Sequence, residues 1–202
     1  MAMKNIHQVL VVGDLECGKT SLIKRFKEDS FDETYTPTRL FNWVPFSTTV
    51  DEESIRVAFM DTSGKGDFEH TTGNHWRAKD IFLIVCDISK MESLESLAEF
   101  LKDINDLSGQ KEPVVVVSGN KSDLAVVINE KEIEDFASDV NVLYFETSAK
   151  TGKNVKEMFT TVLRKSIKTK NFSKNMETGN KLRTDNRISP TTDSNGCSCV
   201  LS

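Results

Sequence analysis

The feature that most limits how this chain can fold is a glycine-rich motif near its start. Residues 13–20 read GDLECGKT and match the pattern G-x-x-x-x-G-K-[ST]. The motif follows a short β-branched run at residues 8–12 and opens a helix pattern at residues 19–28. A strand, a glycine loop and a helix in this order form a cradle for the phosphates of a nucleoside triphosphate. The sequence therefore predicts a nucleotide-binding domain.

Strand and helix patterns alternate along most of the chain. Residues 81–87 (IFLIVCD) and 113–118 (PVVVVS) are continuous apolar runs, which are typical of strands covered on both faces in a parallel sheet. The predicted strands are residues 8–12, 56–60, 81–87, 113–118 and 141–146. The predicted helices are residues 19–28, 93–107, 129–138 and 154–168. We expect an α/β protein with the three-layer P-loop NTPase fold, in which helices cover both faces of a mostly parallel central sheet.

Charge and apolar content divide the chain into two parts. The net charge is −5, yet residues 164–202 carry eight basic and only three acidic residues, so the rest is strongly acidic. Large apolar residues become sparse after Lys170. We expect one domain over residues 1–170 and a flexible tail over residues 171–202. An acidic body excludes general nucleic-acid binding, and the basic tail is either a solvated end or the part that meets an anionic surface.

Two further classes of protein are excluded. The four cysteines are too few and too scattered for a disulfide framework. No signal-peptide pattern opens the chain, and the longest apolar runs fall far below the ~20 residues of a membrane-spanning helix. We expect a protein of the reducing cytosol that does not cross a membrane.

Two later loops extend the prediction from the phosphates to the base. Residues 120–123 (NKSD) and 146–150 (ETSAK) each follow a predicted strand. The carboxylate of Asp123 can accept two hydrogen bonds from the amino–imino edge that guanine offers and adenine lacks. With the phosphate loop, these motifs come in the order and nearly the spacing of a known family. Residues 6–168 resemble a small GTPase of the Ras superfamily.

The resemblance implies roles for individual residues. Asn120 and Asp123 would read guanine, Lys121 would pack over the base and brace the phosphate loop, and Ala149 would offer its backbone N–H to the guanine carbonyl. Phe31 would pack edgewise on the base. The implied nucleotide-binding set is Gly13, Glu16, Cys17, Gly18, Lys19, Thr20, Ser21, Phe31, Tyr35, Thr38, Gly64, Asn120, Lys121, Asp123, Ser148, Ala149 and Lys150.

Two switch segments are implied as well. Residues 35–38 (YTPT) match the first switch and residues 61–64 (DTSG) match the second. The implied ligands of Mg²⁺ are Thr20, Thr38 and Asp61, the last through water. The positions expected to act on the γ-phosphate of GTP are Lys19, Thr38, Gly64 and Lys65. Loss of that phosphate would release the first switch, which is the switching event.

The second switch departs from the family pattern. The family continues after Gly64 with Gln-Glu, whereas this chain has Lys65 and then Gly66. The glutamine orients the attacking water, and a lysine has no hydrogen-bond acceptor. Leu15 also replaces a small residue, where its bulk obstructs an arginine finger from an activating protein. We expect impaired hydrolysis; the alternative is a working GTPase in which another residue places the water.

The effector segment and the subfamily are less settled. Phe41 stands where Ras-type chains have an acidic residue. Phe41 and Trp43 would either form an exposed aromatic anchor or pack into the sheet, and we expect one of the two to pack. Phe68 and residues 75–78 (HWRA) look Rab-like. Residues 199–202 (CVLS) form a C-a-a-X box, as in Ras rather than Rab proteins.

The C-a-a-X box predicts a farnesyl group on Cys199, because a terminal serine favours that lipid. One prenyl chain binds membranes only marginally, so a palmitoyl group on Cys197 or the basic tail would supply a second signal. The expected location is the cytoplasmic face of the plasma membrane or of an endomembrane.

The resulting prediction is a monomeric, membrane-anchored GTP/GDP switch in signalling or vesicle trafficking. Its partners would be an exchange factor, a GTPase-activating protein and effectors, all bound through the switch loops. The alternative is a GTP-binding interaction module that does not hydrolyse its nucleotide. An ATP-using enzyme is disfavoured by residues 120–123 together with residues 148–150.

Overall fold

The computed structural model describes residues 6–34, 36–38, 41–64, 76–77, 79–108, 112–128, 131, 133, 137 and 142–184. Within these residues six strands are present: β1 (Ile6–Gly13), β2 (Phe41–Val50), β3 (Glu53–Thr62), β4 (Ile81–Asp87), β5 (Val114–Asn120) and β6 (Leu143–Glu146). Three helices have defined bounds: α1 (Lys19–Glu28), α2 (Glu92–Leu107) and α3 (Val155–Thr184).

The strands form a single sheet in the order β2-β3-β1-β4-β5-β6. Only the edge strand β2 is antiparallel to its neighbour; every other pair is parallel. Because parallel strands all end at one edge, the loops after β1, β3, β4, β5 and β6 meet there. The predicted fold class, a mostly parallel sheet with helices on both faces, is confirmed.

The central strand β1 shows why the buried runs do not alternate with polar residues. Val9 and Val11 belong to the apolar cluster on one face of the sheet, whereas Leu10 and Val12 belong to the cluster on the other. Successive side chains of a strand point to opposite faces, so a strand covered on both sides needs apolar residues at every position. Helices α1 and α3 contribute to the first cluster and α2 to the second.

The sequence did not predict β2. Its ten residues include Pro45, Ser47, Thr48 and Thr49, and most of its positions are exposed or only half-buried. An edge strand with one open face carries no continuous apolar run, so the signal that marked the other strands was missing. Proline is tolerated there because an edge strand leaves some N–H groups unpaired.

The helix predictions were partly confirmed. The helix predicted over residues 154–168 begins at Val155 but continues to Thr184, because the polar residues beyond Lys168 include no proline to stop it. Of the helix predicted over residues 129–138, the structure describes Lys131, Ile133 and Ala137, which have helical backbone.

The chain divides into two compact units, Met1–Ile167 and Lys168–Ser202. The flexibility expected of residues 171–202 stays a prediction. None of the helices in the described part of the chain combines the length and the apolar character needed to cross a bilayer.

Four phenylalanines join the helical layer of the first cluster to the sheet. The ring of Phe159 in α3 stacks on Phe26 in α1, with centroids 4.4 Å apart, and meets Phe59 in β3 edge-on at 5.5 Å. Phe26 also meets Phe46 in β2 edge-on at 5.6 Å. Phe159 and Phe59 are almost wholly buried. These contacts hold α1, the helix that follows the phosphate loop, against the sheet.

We expect Phe159→Ala to lower the free energy of unfolding by about 3–5 kcal/mol, because it removes a buried ring and leaves a cavity. Urea unfolding at fixed GDP and Mg²⁺ concentrations measures this, since bound ligand shifts apparent stability. Phe172 lies in the same helix and is 66% exposed. Phe172→Ala is the matched control and should change stability by less than about 0.5 kcal/mol. Equal effects of the two substitutions would contradict this packing.

Candidate nucleotide site

The phosphate loop passes too close to the sheet for side chains at two of its glycines. A Cβ at Gly13 would collide with the backbone carbonyl of Val85 in β4. A Cβ at Gly18, whose φ is 98°, would collide with the side-chain amide of Asn120. These collisions explain why both ends of the loop are glycine.

Lys19 begins α1, and its side chain folds back into the phosphate loop. Its ammonium donates to the carbonyl oxygens of Gly13 at 3.0 Å and Asp14 at 2.7 Å, and the residue is buried. This arrangement places the cationic group and the N-terminus of α1 on the same loop, where both favour phosphate. Glu16 is exposed, so its carboxylate has access to solvent.

Cys17 contributes its backbone rather than its thiol. Complete burial raises the pKa of the Cys17 thiol, and the charge of Lys19 opposes this only in part. A neutral, buried thiol is a packing group, not a nucleophile. The Cys17 carbonyl accepts a hydrogen bond from Asn120, as described below.

Three oxygen-bearing side chains converge beside the phosphate loop. The Thr20 hydroxyl lies 2.9 Å from the Thr38 hydroxyl and donates to Asp61 Oδ2 at 2.6 Å. The other carboxylate oxygen of Asp61 is buried and has no hydrogen-bond partner among the atoms that the structure describes. Burial raises the pKa of Asp61, although the Thr20 hydrogen bond and the charge of Lys19 oppose the rise.

This oxygen set fits Mg²⁺, which prefers carboxylate and hydroxyl ligands. A bound Mg²⁺ would supply positive charge to an uncompensated carboxylate and to phosphate oxygens. The predicted metal residues Thr20, Thr38 and Asp61 are therefore brought together by the fold, although they come from α1, a loop and β3.

Asn120, the last residue of β5, joins two loops. Its Nδ2 donates to the carbonyl of Cys17 at 2.8 Å, and its Oδ1 accepts the backbone N–H of Ala149 at 3.1 Å. Asn120 thus braces the phosphate loop, a role that the resemblance assigned to Lys121. The N–H of Ala149, which the resemblance assigned to guanine, is donated to Asn120, so a guanine carbonyl would have to share it.

Lys121 extends to Asp87 at the end of β4, with 2.7 Å between Nζ and Oδ2. Burial tends to raise the pKa of Asp87, but the hydrogen bonds from Lys121 and Ser89 outweigh it and the pKa is lowered. The backbone of Lys121 has the left-handed conformation, with φ 68°. Asp87 was missed in the sequence; the signal for it was a charged residue that ends an apolar run at a ligand-binding edge.

The Ser148 hydroxyl orients Asp123. It donates to Asp123 Oδ1 at 2.6 Å, and Ser148 itself is fully buried. Thr147, also missed in the sequence, hydrogen-bonds Ser118 in β5 at 2.7 Å and so anchors the same loop to the sheet. Nothing in the local sequence marks this pair, because the two residues lie 29 positions apart.

These loops surround a cavity of about 670 Å³, within the range of small-molecule sites. Among the predicted residues, its lining includes Glu16, Gly18, Lys19, Thr20, Ser21, Phe31, Thr38, Asn120, Lys121, Asp123, Ala149 and Lys150. Gly64 lies beside the phosphate loop, since a Cβ on it would come within 2.9 Å of the Leu15 nitrogen. Tyr35, Lys65, Cys197 and Cys199 lie outside the described residues.

The expectation for the two aromatic residues of β2 was wrong. Phe41 and Trp43 are 38% and 44% exposed, so neither is buried. The two residues share a face of the edge strand β2, and the alternate positions on that face, from Phe41 to Thr49, are all exposed. The ammonium of Lys79 lies 5.0 Å from the centroid of the Trp43 ring.

We expect Asp61→Asn to weaken Mg²⁺ binding about 10- to 100-fold while raising the stability of the metal-free protein. Because its pKa is raised in the folded state, the stability that Asp61 contributes is complete below the ordinary carboxyl pKa. That contribution falls as the pH rises through the raised value, and a neutral amide avoids the loss. Thermal unfolding with GDP, in Mg²⁺ and in EDTA, measures both effects.

Asp32→Asn is the control for this prediction, because it removes an exposed carboxylate that lines the same cavity. The control should keep the stabilisation by Mg²⁺. An Asp61→Asn protein that Mg²⁺ stabilises as strongly as the wild type would contradict the metal assignment.

The geometry of the cavity agrees with an independent comparison. A model of the Ras family matches residues 8–168, which is most of the chain. The match includes the phosphate loop, both switch segments and the two base loops. Proteins of this family bind guanine nucleotides with Mg²⁺ and act as switches, and the chain belongs to the Ras family of small GTPases.

Proposed function

We propose that this Ras-family chain is a lipid-anchored guanine-nucleotide switch that hydrolyses GTP slowly. The observation that carries the switch is the meeting of Thr38 with Thr20 and Asp61. Thr20 and Asp61 belong to α1 and β3, whereas Thr38 belongs to the loop between α1 and β2. Of the three, Thr38 is the residue that no helix or strand holds. Thr38 would bind the metal and the γ-phosphate at this point, and loss of the phosphate would release the loop.

The chain's own groups account for phosphate binding and charge stabilisation. The Lys19 ammonium and the N-terminus of α1 supply positive charge, and the buried Asp61 attracts the metal. Mg²⁺, when bound, neutralises charge on the phosphate oxygens. Catalysis of phosphoryl transfer is mostly positioning plus such charge stabilisation, so these residues suffice for binding and for part of the rate.

The proposed slowness rests on Lys65. An attacking water needs an acceptor to orient it, and a lysine side chain offers three donors and no acceptor. A positive charge on the γ-phosphate also stabilises the bound ground state, which does not accelerate chemistry. The side chain of Leu15 is 59% exposed at the phosphate loop and lies against Gly64. The bulk of Leu15 supports a further loss of hydrolysis rate, because it leaves less room for an arginine supplied by an activating protein.

The presence of Lys65 also favours a second candidate, a GTP-binding interaction module that performs no hydrolysis. In this version the protein stays GTP-loaded and signals through its switch surface. The exposed rings of Phe41 and Trp43, which follow Thr38 closely in the chain, support an aromatic contact with effectors. Exchange and activating factors would use the same switch loops.

Single-turnover GTP hydrolysis with Mg²⁺ separates the two candidates. We expect the wild type to hydrolyse GTP at or below the roughly 10⁻⁴ s⁻¹ of Ras itself. Lys65→Gln should raise this rate by about an order of magnitude or more, because the amide both accepts from and donates to the water. Lys65→Ala is the matched control, since it removes the charge without adding an acceptor, and it should not restore the rate.

A wild-type rate that Lys65→Gln leaves unchanged would mean that another residue places the water. An undetectable wild-type rate would favour the non-hydrolysing module.

The proposed anchor rests on residues 199–202 (CVLS) and on the basic character of residues 164–202. A single prenyl chain gives reversible binding, so the basic residues or a palmitoyl group on Cys197 would prolong it. The proposed location is therefore the cytoplasmic face of the plasma membrane or an endomembrane, with a role in signalling or trafficking.

We expect Cys199→Ser to move the protein from the membrane fraction to the soluble fraction, because it removes the acceptor of the prenyl group. Cell fractionation measures this directly. Cys197→Ser keeps the prenyl acceptor and should give partial release only. Membrane association of Cys199→Ser equal to that of the wild type would exclude the prenyl anchor.

A further inference from the structure

The guanidinium of Arg25 touches the base-recognition loop, although Arg25 itself lies in α1. Its Nε donates to the carbonyl oxygen of Ala149 at 2.8 Å, and its Nη2 donates to that of Lys150 at 2.7 Å. The N–H groups of a guanidinium have a fixed planar geometry. Two bonds to consecutive carbonyls therefore fix both the position and the direction of this backbone.

The same guanidinium also binds the end of α1. Its Nη1 donates to the carbonyl oxygen of Asp29 at 2.8 Å and contacts the Asp29 carboxylate at 3.2 Å. Asp29 caps the helix in the left-handed conformation, with φ 48°. Phe31, two residues later, lines the cavity. The path of the chain toward Phe31 therefore depends on the cap that Arg25 holds.

Arg25 is not an ordinary surface arginine. Its side chain is only 15% exposed, whereas that of Asp29 is 95% exposed. Hydrogen bonds from a cationic donor are stronger than neutral ones, and partial burial strengthens them further. The peptide of Ala149 is consequently held on both sides: Arg25 binds its carbonyl, and Asn120 accepts its N–H.

We propose that Arg25 is a positioning residue for guanine recognition. It holds the backbone of Ala149 and Lys150 against the end of α1, and so keeps the base loop and the segment leading to Phe31 in place around the base. This slows the release of bound nucleotide. The inference rests on the guanine-nucleotide binding stated above. It adds Arg25 to the residues that hold the base loop in place.

The first test is the release rate of a fluorescent GDP analogue from the full chain with Mg²⁺. We expect Arg25→Ala to speed release about tenfold or more, because two backbone carbonyls lose their cationic donor. Arg25→Lys keeps the charge but not the planar fork, and should lie between Arg25→Ala and the wild type. Lys27→Ala removes a positive charge from the same last turn of α1 and is the matched control, with release within about twofold of the wild type.

The second test separates base positioning from general loosening. ITP lacks the 2-amino group and reports on Asp123, whereas 6-thio-GTP has a weaker acceptor at position 6 and reports on the Ala149 side of the base. We expect Arg25→Ala to lose most of the preference for GTP over 6-thio-GTP while keeping the preference for GTP over ITP. Competition against the fluorescent analogue measures both preferences.

Three outcomes would overturn the inference: unchanged release from Arg25→Ala, equal release from Arg25→Ala and Lys27→Ala, or loss of both preferences together. If Arg25→Ala does not fold, the release rate and the nucleotide preferences of Arg25→Lys test the inference instead. Wild-type values for Arg25→Lys would then overturn the inference. A wild type that prefers ATP to GTP would instead contradict the guanine-nucleotide function.

Discussion

The side chain of Asn120 holds together the two loops that form the nucleotide cavity, and the rest of the site depends on it. One end of its amide binds the phosphate loop at Cys17 and the other binds the base loop at Ala149. The amide also lies where a side chain at position 18 would be, so the glycine there is part of the same fit. A buried amide that satisfies partners on two loops fixes their separation, because an unmade hydrogen bond in the interior is costly.

Two buried carboxylates near this bridge have opposite pKa shifts. Asp87 has a cationic partner, Lys121, and its pKa is lowered in spite of burial. Asp61 has hydroxyl neighbours and a more distant cation, and burial raises its pKa. The first carboxylate is therefore a structural group whose charge is already balanced. The second needs positive charge from a ligand, which is the property expected of a metal-binding residue in a switch.

The opposite pKa shifts of Asp87 and Asp61 distinguish the rigid part of the site from the part that switches. Asn120 and Arg25 fasten the base loop at residues 149–150 to β5 and α1, and Asp87 at the end of β4 pairs with Lys121 in the loop after β5. None of these contacts involves the γ-phosphate. Thr38 contacts the site through the hydroxyl of Thr20. The contacts that hold the base loop and the contact that Thr38 makes therefore involve different residues.

The sequence alone determined the phosphate loop, the sheet class and the strands buried on both faces, because each depends on a local pattern. The loop motif fixes a backbone path, and the runs in β4 and β5 have no alternation since both faces are covered. The chemistry of guanine identified Asp123 in the loop after β5, whereas the role of Asp61 came from the resemblance to the family. The half-exposed strand β2 gave no such pattern and was found only in the structure.

Only the tertiary structure decided which side chain makes which contact at the site. Asn120 braces the phosphate loop at Cys17, and Phe41 and Trp43 share an exposed face. Arg25 meets Ala149 across 124 positions of sequence. Such pairs depend on how elements pack, and no local propensity or spacing records the distance between residues that are far apart in the chain.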